Sequence, residues 1–189
     1  MATFSTNRRT TAGFTLIEMV AVLLILSILA AATTAGLARA KDRAWRAQAR
    51  ETCRQLCEAW NQYLLDERAF PSDIGDGRAV TTTFDNLRHV TGYQPEDQIE
   101  KPTGTVYFEI NEKERKTVAG GGLRDHWKGL YRFTLDMDYD GEVENPHPEA
   151  FADSPSDASS FAKVKAASIA WSEGDPAHAR RKTNPIVAW

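Results

Sequence analysis

Cysteine is scarce in this sequence: Cys53 and Cys57 are the only two in 189 residues. Their i, i+4 spacing sets both on one face of a helix, a packing arrangement before it is a disulfide. There is no Cys-x-x-Cys pair and no Cys/His cluster of zinc spacing. An excess of positive charge is missing as well. With 23 basic against 26 acidic residues and a formal charge of −3, the chain lacks the basic face expected of a general nucleic-acid binder, so no nucleic-acid partner is expected. Catalytic signatures are also absent. Ser168, Ser172, His126, His147 and His178 occur without a nucleophile elbow, a His-Glu-x-x-His pair, a phosphate-cradling glycine loop or a dinucleotide fingerprint, and the expectation is that the chain is not an enzyme. Finally, neither glycine nor proline falls between Phe14 and Thr34.

That last absence leaves one long apolar run from Phe14 to Ala38, with Glu18 as its only ionisable side chain. At ~1.5 Å per residue a helix of this length covers the ~30 Å hydrocarbon core of a bilayer. A carboxylate inside such a run costs on the order of 2.5–3.5 kcal/mol, which makes Glu18 a functional candidate that needs a partner. Ahead of the run, Arg8 and Arg9 sit in a short polar leader that ends at Gly13.

A basic leader, a glycine at the junction and an acid five positions beyond it resemble the class III leader of type IV prepilins and type II secretion pseudopilins. The resemblance implies that prepilin peptidase cleaves after Gly13, that Phe14 becomes an N-methylated terminus, and that Glu18 is the acid used in assembly. The Phe14 amine of an adjacent copy is then the natural neutralising partner for Glu18, because an unpaired buried carboxylate would protonate. Two other readings stand beside this one. Ala38-Arg39-Ala40 would serve as a signal-peptidase site, although the run exceeds the usual 7–15 residues of a secretory signal. A plain signal anchor is the other. Arg39, Lys41, Arg43, Arg46 and Arg50 all follow the run, which opposes the positive-inside tendency for a leader held in the cytoplasm.

Beyond the run, Trp45, Ala49, Cys53, Leu56, Cys57, Trp60, Tyr63 and Leu64 recur at helical spacing among charged residues. One helix from Phe14 to about Asp66 is therefore expected, apolar all round at first and amphipathic later, ending before Phe70-Pro71. Gly36 is its one weak point. Residues 72–83 read as loop, Phe84–Gly92 as a short helix closed by glycine, and Thr105–Ile110 as a strand. His89 has no partner at metal-binding spacing. Residues 145–160 read as loop, Val164–Ser172 as a strand, and Ile186–Trp189 as a last strand with Trp189 packed.

Asp136, Asp138 and Asp140, followed by Gly141, could wrap oxygen ligands around calcium, the one cofactor expected. The EF-hand pattern fails at its twelfth position, His147, and acidic turns also occur without a cation. Asp125-His126-Trp127-Lys128-Gly129 resembles a stretch of major pseudopilins in which the Trp packs on the long helix. Ser172-Glu173-Gly174-Asp175 is similar to a turn that helps build their calcium site, which would add Asp175 to the ligands.

The expected fold is α+β, a long N-terminal helix laid on a small antiparallel sheet. Its divisions are a cleaved leader (1–13), a membrane and assembly helix (14–38), an amphipathic continuation (39–70) and a globular domain (71–189). The resemblance implies a pseudopilus subunit, anchored once in the bacterial inner membrane with its domain in the periplasm before it enters a filament. Its implied partners are other copies of itself, prepilin peptidase, the inner-membrane assembly platform and other pilins or pseudopilins. A type IV pilin or minor pilin, a membrane-anchored ligand-binding module, and a soluble enzyme released after Ala40 are the alternatives.

Overall fold

A computed structural model describes residues 14–75, 77–93, 104–110, 121–152, 157–179 and 184–189. Contacts divide the chain into two units, Met1–Arg43 and Ala44–Trp189. Helix α1, Leu16–Glu67, runs through both.

In the first unit α1 is exposed along its apolar length, and it is long and apolar enough to cross a membrane. In the second unit α1 is the spine of the core. Ala49, Cys53, Leu56, Cys57 and Trp60 recur at i, i+4, i+7, i+8 and i+11 and are all buried, the stripe that a 3.6-residue period produces. Trp60 has no exposed surface; its ring stacks on Phe133 at 5.1 Å and meets Tyr63 and Phe70 edge-on. The helix stops slightly ahead of the proline. Arg68 turns into the left-handed region (φ 65°), and its N–H closes the last turn on Leu64 O at 2.9 Å.

The sheet that covers the stripe is antiparallel throughout, in the order β1 (Val80–Thr81), β2 (Arg132–Leu135), β5 (Ser168–Ser172) and β6 (Ile186–Ala188). Strands β3 (Val143–Glu144) and β4 (Lys163–Val164) pair separately. Helix α2 (Phe84–Thr91) ends at Gly92 in the left-handed conformation, as its glycine predicts. On the helical side of the core, Leu87 and Val90 of α2 join Phe133, Leu135, Ala170 and Ile186.

Five local expectations are corrected. Thr105–Ile110 forms no strand: the N–H groups of Tyr107 and Phe108 both donate to Val90 O at 2.8 Å, at the end of α2. Phe108 and Ile110 enter the core from there, so burial is served without strand pairing. The single strand expected over Val164–Ser172 is two strands in different sheets, since β4 faces β3 and β5 faces β2. Residues 72–83 are not all loop, because Val80–Thr81 adds the edge strand β1. Trp189 is 50% exposed, with one face against Phe151 at 4.8 Å. The loop expected at 145–160 contains two short 3-10 turns, Pro148–Ala150 and Ala158–Phe161.

Candidate functional site: the head of the long helix and two turns of the domain

Gly13, with Arg8 and Arg9, lies outside the described residues. Phe14 is 80% exposed, and the helix starts two residues later. Thr15 occupies the cap position. Its N–H and its Oγ1 both donate to Glu18 Oε2 at 2.8 Å, and Glu18 N–H returns to Thr15 Oγ1 at 3.3 Å. This is a capping box, in which a carboxylate three residues into the helix satisfies the backbone N–H of the cap residue. Thr15 was missed in reading the sequence, although Thr-x-x-Glu ahead of an apolar run is its signature. The box leaves Glu18 partnered within its own chain and at the positive end of the helix dipole.

Among the described residues one group of acids has converging ligand atoms: Asp136, Asp138 and Asp140 each offer an oxygen within 4.8 Å of the others. They sit where β2 turns toward β3. Much of their capacity is already engaged in shaping that turn. Asp136 Oδ1 accepts from Asp140 N–H at 3.2 Å and its Oδ2 from Gly141 N–H at 2.9 Å, while Asp140 Oδ1 accepts from Glu142 N–H at 2.8 Å. Desolvation pushes the Asp136 carboxyl above the usual carboxylate range, the Asp138 carboxyl adds to the rise, and the Gly141 and Asp140 amides oppose it. Lys163 stands 3.5 Å from Asp140 and 3.4 Å from Glu142. The all-oxygen donor set suits calcium, but a lysine already faces it.

Asp175 is not brought to this group. Register explains why: Leu135, just before Asp136, pairs with Ser168 at the start of β5, whereas Asp175 follows the far end of β5, where Trp171 pairs with Arg132. At ~3.4 Å per residue, the length of β5 separates them by on the order of 15 Å. Asp175 instead caps the 3-10 turn Pro176–His178 through Ala177 N–H at 2.9 Å, and it meets His178 Nδ1 at 2.8 Å.

The two turns that resembled pseudopilin segments meet each other. Asp125 Oδ1 accepts from Gly129 N–H at 2.8 Å and closes its own turn, while Asp125 Oδ2 accepts from the buried Ser172 hydroxyl at 2.5 Å. Ser172 Oγ in turn accepts from Gly174 N–H at 3.0 Å. Trp127 packs against α1, edge-on to Trp45 at 6.1 Å and beneath the Arg46 guanidinium at 5.8 Å. His126 stacks on Trp45 and reaches Gln48 Oε1 at 2.8 Å. Asn184, for which the sequence carried no signal, joins three distant segments: its Nδ2 donates to Glu173 O at 2.5 Å, and its O and Oδ1 face Arg46 at 3.5 and 3.4 Å.

Beside these turns lies a cleft of about 530 Å³ lined by Trp127, Lys128, His147, Glu149 and Glu173 among others. His147 Nδ1 is 3.2 Å from Glu149, and Nε2 is 3.3 Å from Glu173, so both contacts are ion pairs when the imidazole is protonated. Contact with Glu173 raises the His147 pKa above its ordinary value, burial opposes the rise, and Glu149 adds to it. The same contact lowers Glu173. Cys53 and Cys57 are buried free thiols. Burial raises both, Cys57 to about 12, so neither is a thiolate near neutrality.

Residues 8–34 match the family model of the prokaryotic N-terminal methylation motif. The match supports a type IV pilin-like protein. It covers the end of the leader, Phe14, the capping box and most of the apolar run, and the motif is one of structural subunits processed by prepilin peptidase, not of enzymes. No curated protein and no solved structure gives a significant match to the chain. The pilin-like head is thus continuous with a helix of 52 residues whose second part carries a small antiparallel sheet.

Proposed function

We propose that this chain is the subunit of a pseudopilus-like filament, cut after Gly13 by prepilin peptidase, methylated at Phe14, and assembled from the inner membrane in the service of type II secretion. The observation that carries the reading is the methylation motif at residues 8–34 opening directly into α1. A pseudopilin is favoured over a disulfide-closed pilin because both cysteines are free and lie within α1, and because Trp127 and its turn pack on that helix.

In the membrane-inserted subunit the capping box satisfies Glu18 locally. In the filament, α1 segments pack against one another in place of lipid, and a neighbouring Phe14 amine offers Glu18 an ionic partner that sets axial register. The deciding experiment is the N-terminal residue and its mass, measured on protein from the native membrane fraction. N-methylated Phe14 is expected, and a chain starting at Met1 or Lys41 refutes the reading. Glu18→Ala is expected to be cleaved normally and to assemble poorly, scored as sheared filament per cell.

A further inference from the structure

The cleft beside the two turns carries two half-exposed carboxylates, Glu149 and Glu173, one at each ring nitrogen of His147. Trp127, Pro176 and Pro185 form its walls, and Lys128 also lines it. Elsewhere, Arg39 and Arg43 of α1 are exposed, and neither side chain has an ion-pair or hydrogen-bond partner among the described residues. We propose that Arg39 and Arg43 of a second copy dock in this cleft, on Glu149 and Glu173, when subunits assemble. The inference rests on reading the chain as a filament subunit, and it names side chains that join one copy to the next.

Charge and shape are complementary. At i, i+4 the two arginines share one face of α1, where like charges repel unless acids meet them. In the cleft the reverse holds: His147 stands between two carboxylates, and both keep about half of their side-chain surface open to solvent. A guanidinium meets a carboxylate in a planar, bidentate pair. The methylene stem of an arginine suits apolar walls such as Trp127, Pro176 and Pro185, with its charged head on the acids. Lys128 opposes such an occupant, one ammonium against two carboxylates.

Register along α1 agrees with the pairing. The cleft borders residues 45 and 46 of its own helix, because its wall Trp127 packs edge-on to Trp45 and beneath Arg46, and because Asn184, beside the lining Pro185, faces Arg46. A parallel neighbour whose Phe14 amine reaches Glu18 is displaced by four residues, about 6 Å, toward the domain. That displacement brings the neighbour's Arg39 and Arg43 level with positions 43 and 47, on either side of the residues that border the cleft. One offset thus serves both ends of the contact, the acid at the head of α1 and the acids of the domain.

The test is a charge swap in the full chain, scored as sheared filament per cell. R43E and E149R should each lower the yield by roughly tenfold, as loss of a charge pair at an interface does, and R43E/E149R should recover most of it. A double variant no better than the single ones, with E149R accumulating as the wild type does, overturns the proposal. A cross-link that leaves Arg43 and both acids in place decides the matter independently of how E149R folds. Filaments of R39C/K128C treated with a short bismaleimide should give a ladder of joined copies, and filaments of either single variant should not, since Cys53 and Cys57 are buried. Absence of the ladder, or joining of the K128C chain to a different protein, overturns the docking while leaving the filament reading intact. A wild-type chain that forms no filament removes that reading and the docking with it.

Discussion

Thr15 and Glu18 satisfy each other across the first turn of α1. Loss of a cap typically costs about 1 kcal/mol, so Thr15→Ala should fray that turn, seen as faster amide exchange at Ile17 and Glu18 in detergent micelles. A second position is fixed by crowding. Gly174 holds φ 70°, and a Cβ placed there would strike the carbonyl oxygen of Asn184. Gly174→Ala is therefore expected to destabilise the domain by more than about 1 kcal/mol, read from urea unfolding. His147 supplies the pH dependence. Its pKa is raised in the folded chain, so its contribution is full below the ordinary value near 6.5 and is lost as pH rises through the folded value. Glu173 is lowered, so its share is present above the ordinary glutamate value and is lost as pH falls through the folded one. The pair contributes most between these limits. The melting temperature should fall from pH 6 to pH 8.5, and His147→Gln should flatten that decline.

Helix α1 carries two kinds of sequence along one rod, and they predict different responses. Trp60 is wholly buried against Phe133, so Trp60→Ala should cost on the order of 3–5 kcal/mol in the domain, measured by chemical denaturation. At Gly36 an added Cβ meets nothing within 4 Å. Gly36→Ala should thus raise the helicity of the isolated subunit, with ~1 kcal/mol of propensity in its favour. A drop in filament yield from that variant would show that neighbouring helices need the missing side chain. The acidic turn after β2 offers a third test. If Asp136, Asp138 and Asp140 hold calcium, millimolar calcium raises the melting temperature and Asp138→Asn abolishes the rise. An indifferent melting temperature leaves Lys163 as the turn's counter-ion. The helix was legible in advance because its period and its lack of breakers are local. The segment Thr105–Ile110 was not, since its β-branched and aromatic residues serve burial beside α2 as well as they would serve a strand.

Taken whole, the chain has two units, one an exposed apolar stretch of α1 and the other a folded domain. Among the described residues the apolar length of α1 is exposed, and a bilayer or a ring of identical helices would cover it. The domain is closed by contacts between segments far apart in sequence: Arg46 with Asn184, Asp125 with Ser172, and the Cys53 and Cys57 thiols against the backbone of β6. The methylation motif, the place of Glu18 at the head of α1, the length of α1 and its buried stripe could be read from residue order alone, because each depends on neighbours within a few positions. The tertiary structure alone decided that Asp175 stands away from the acidic turn, that β4 and β5 part into different sheets, and that Asn184 and His147 are the joints of the domain. Antiparallel register and long-range hydrogen bonds set those distances, and neither is encoded in local spacing.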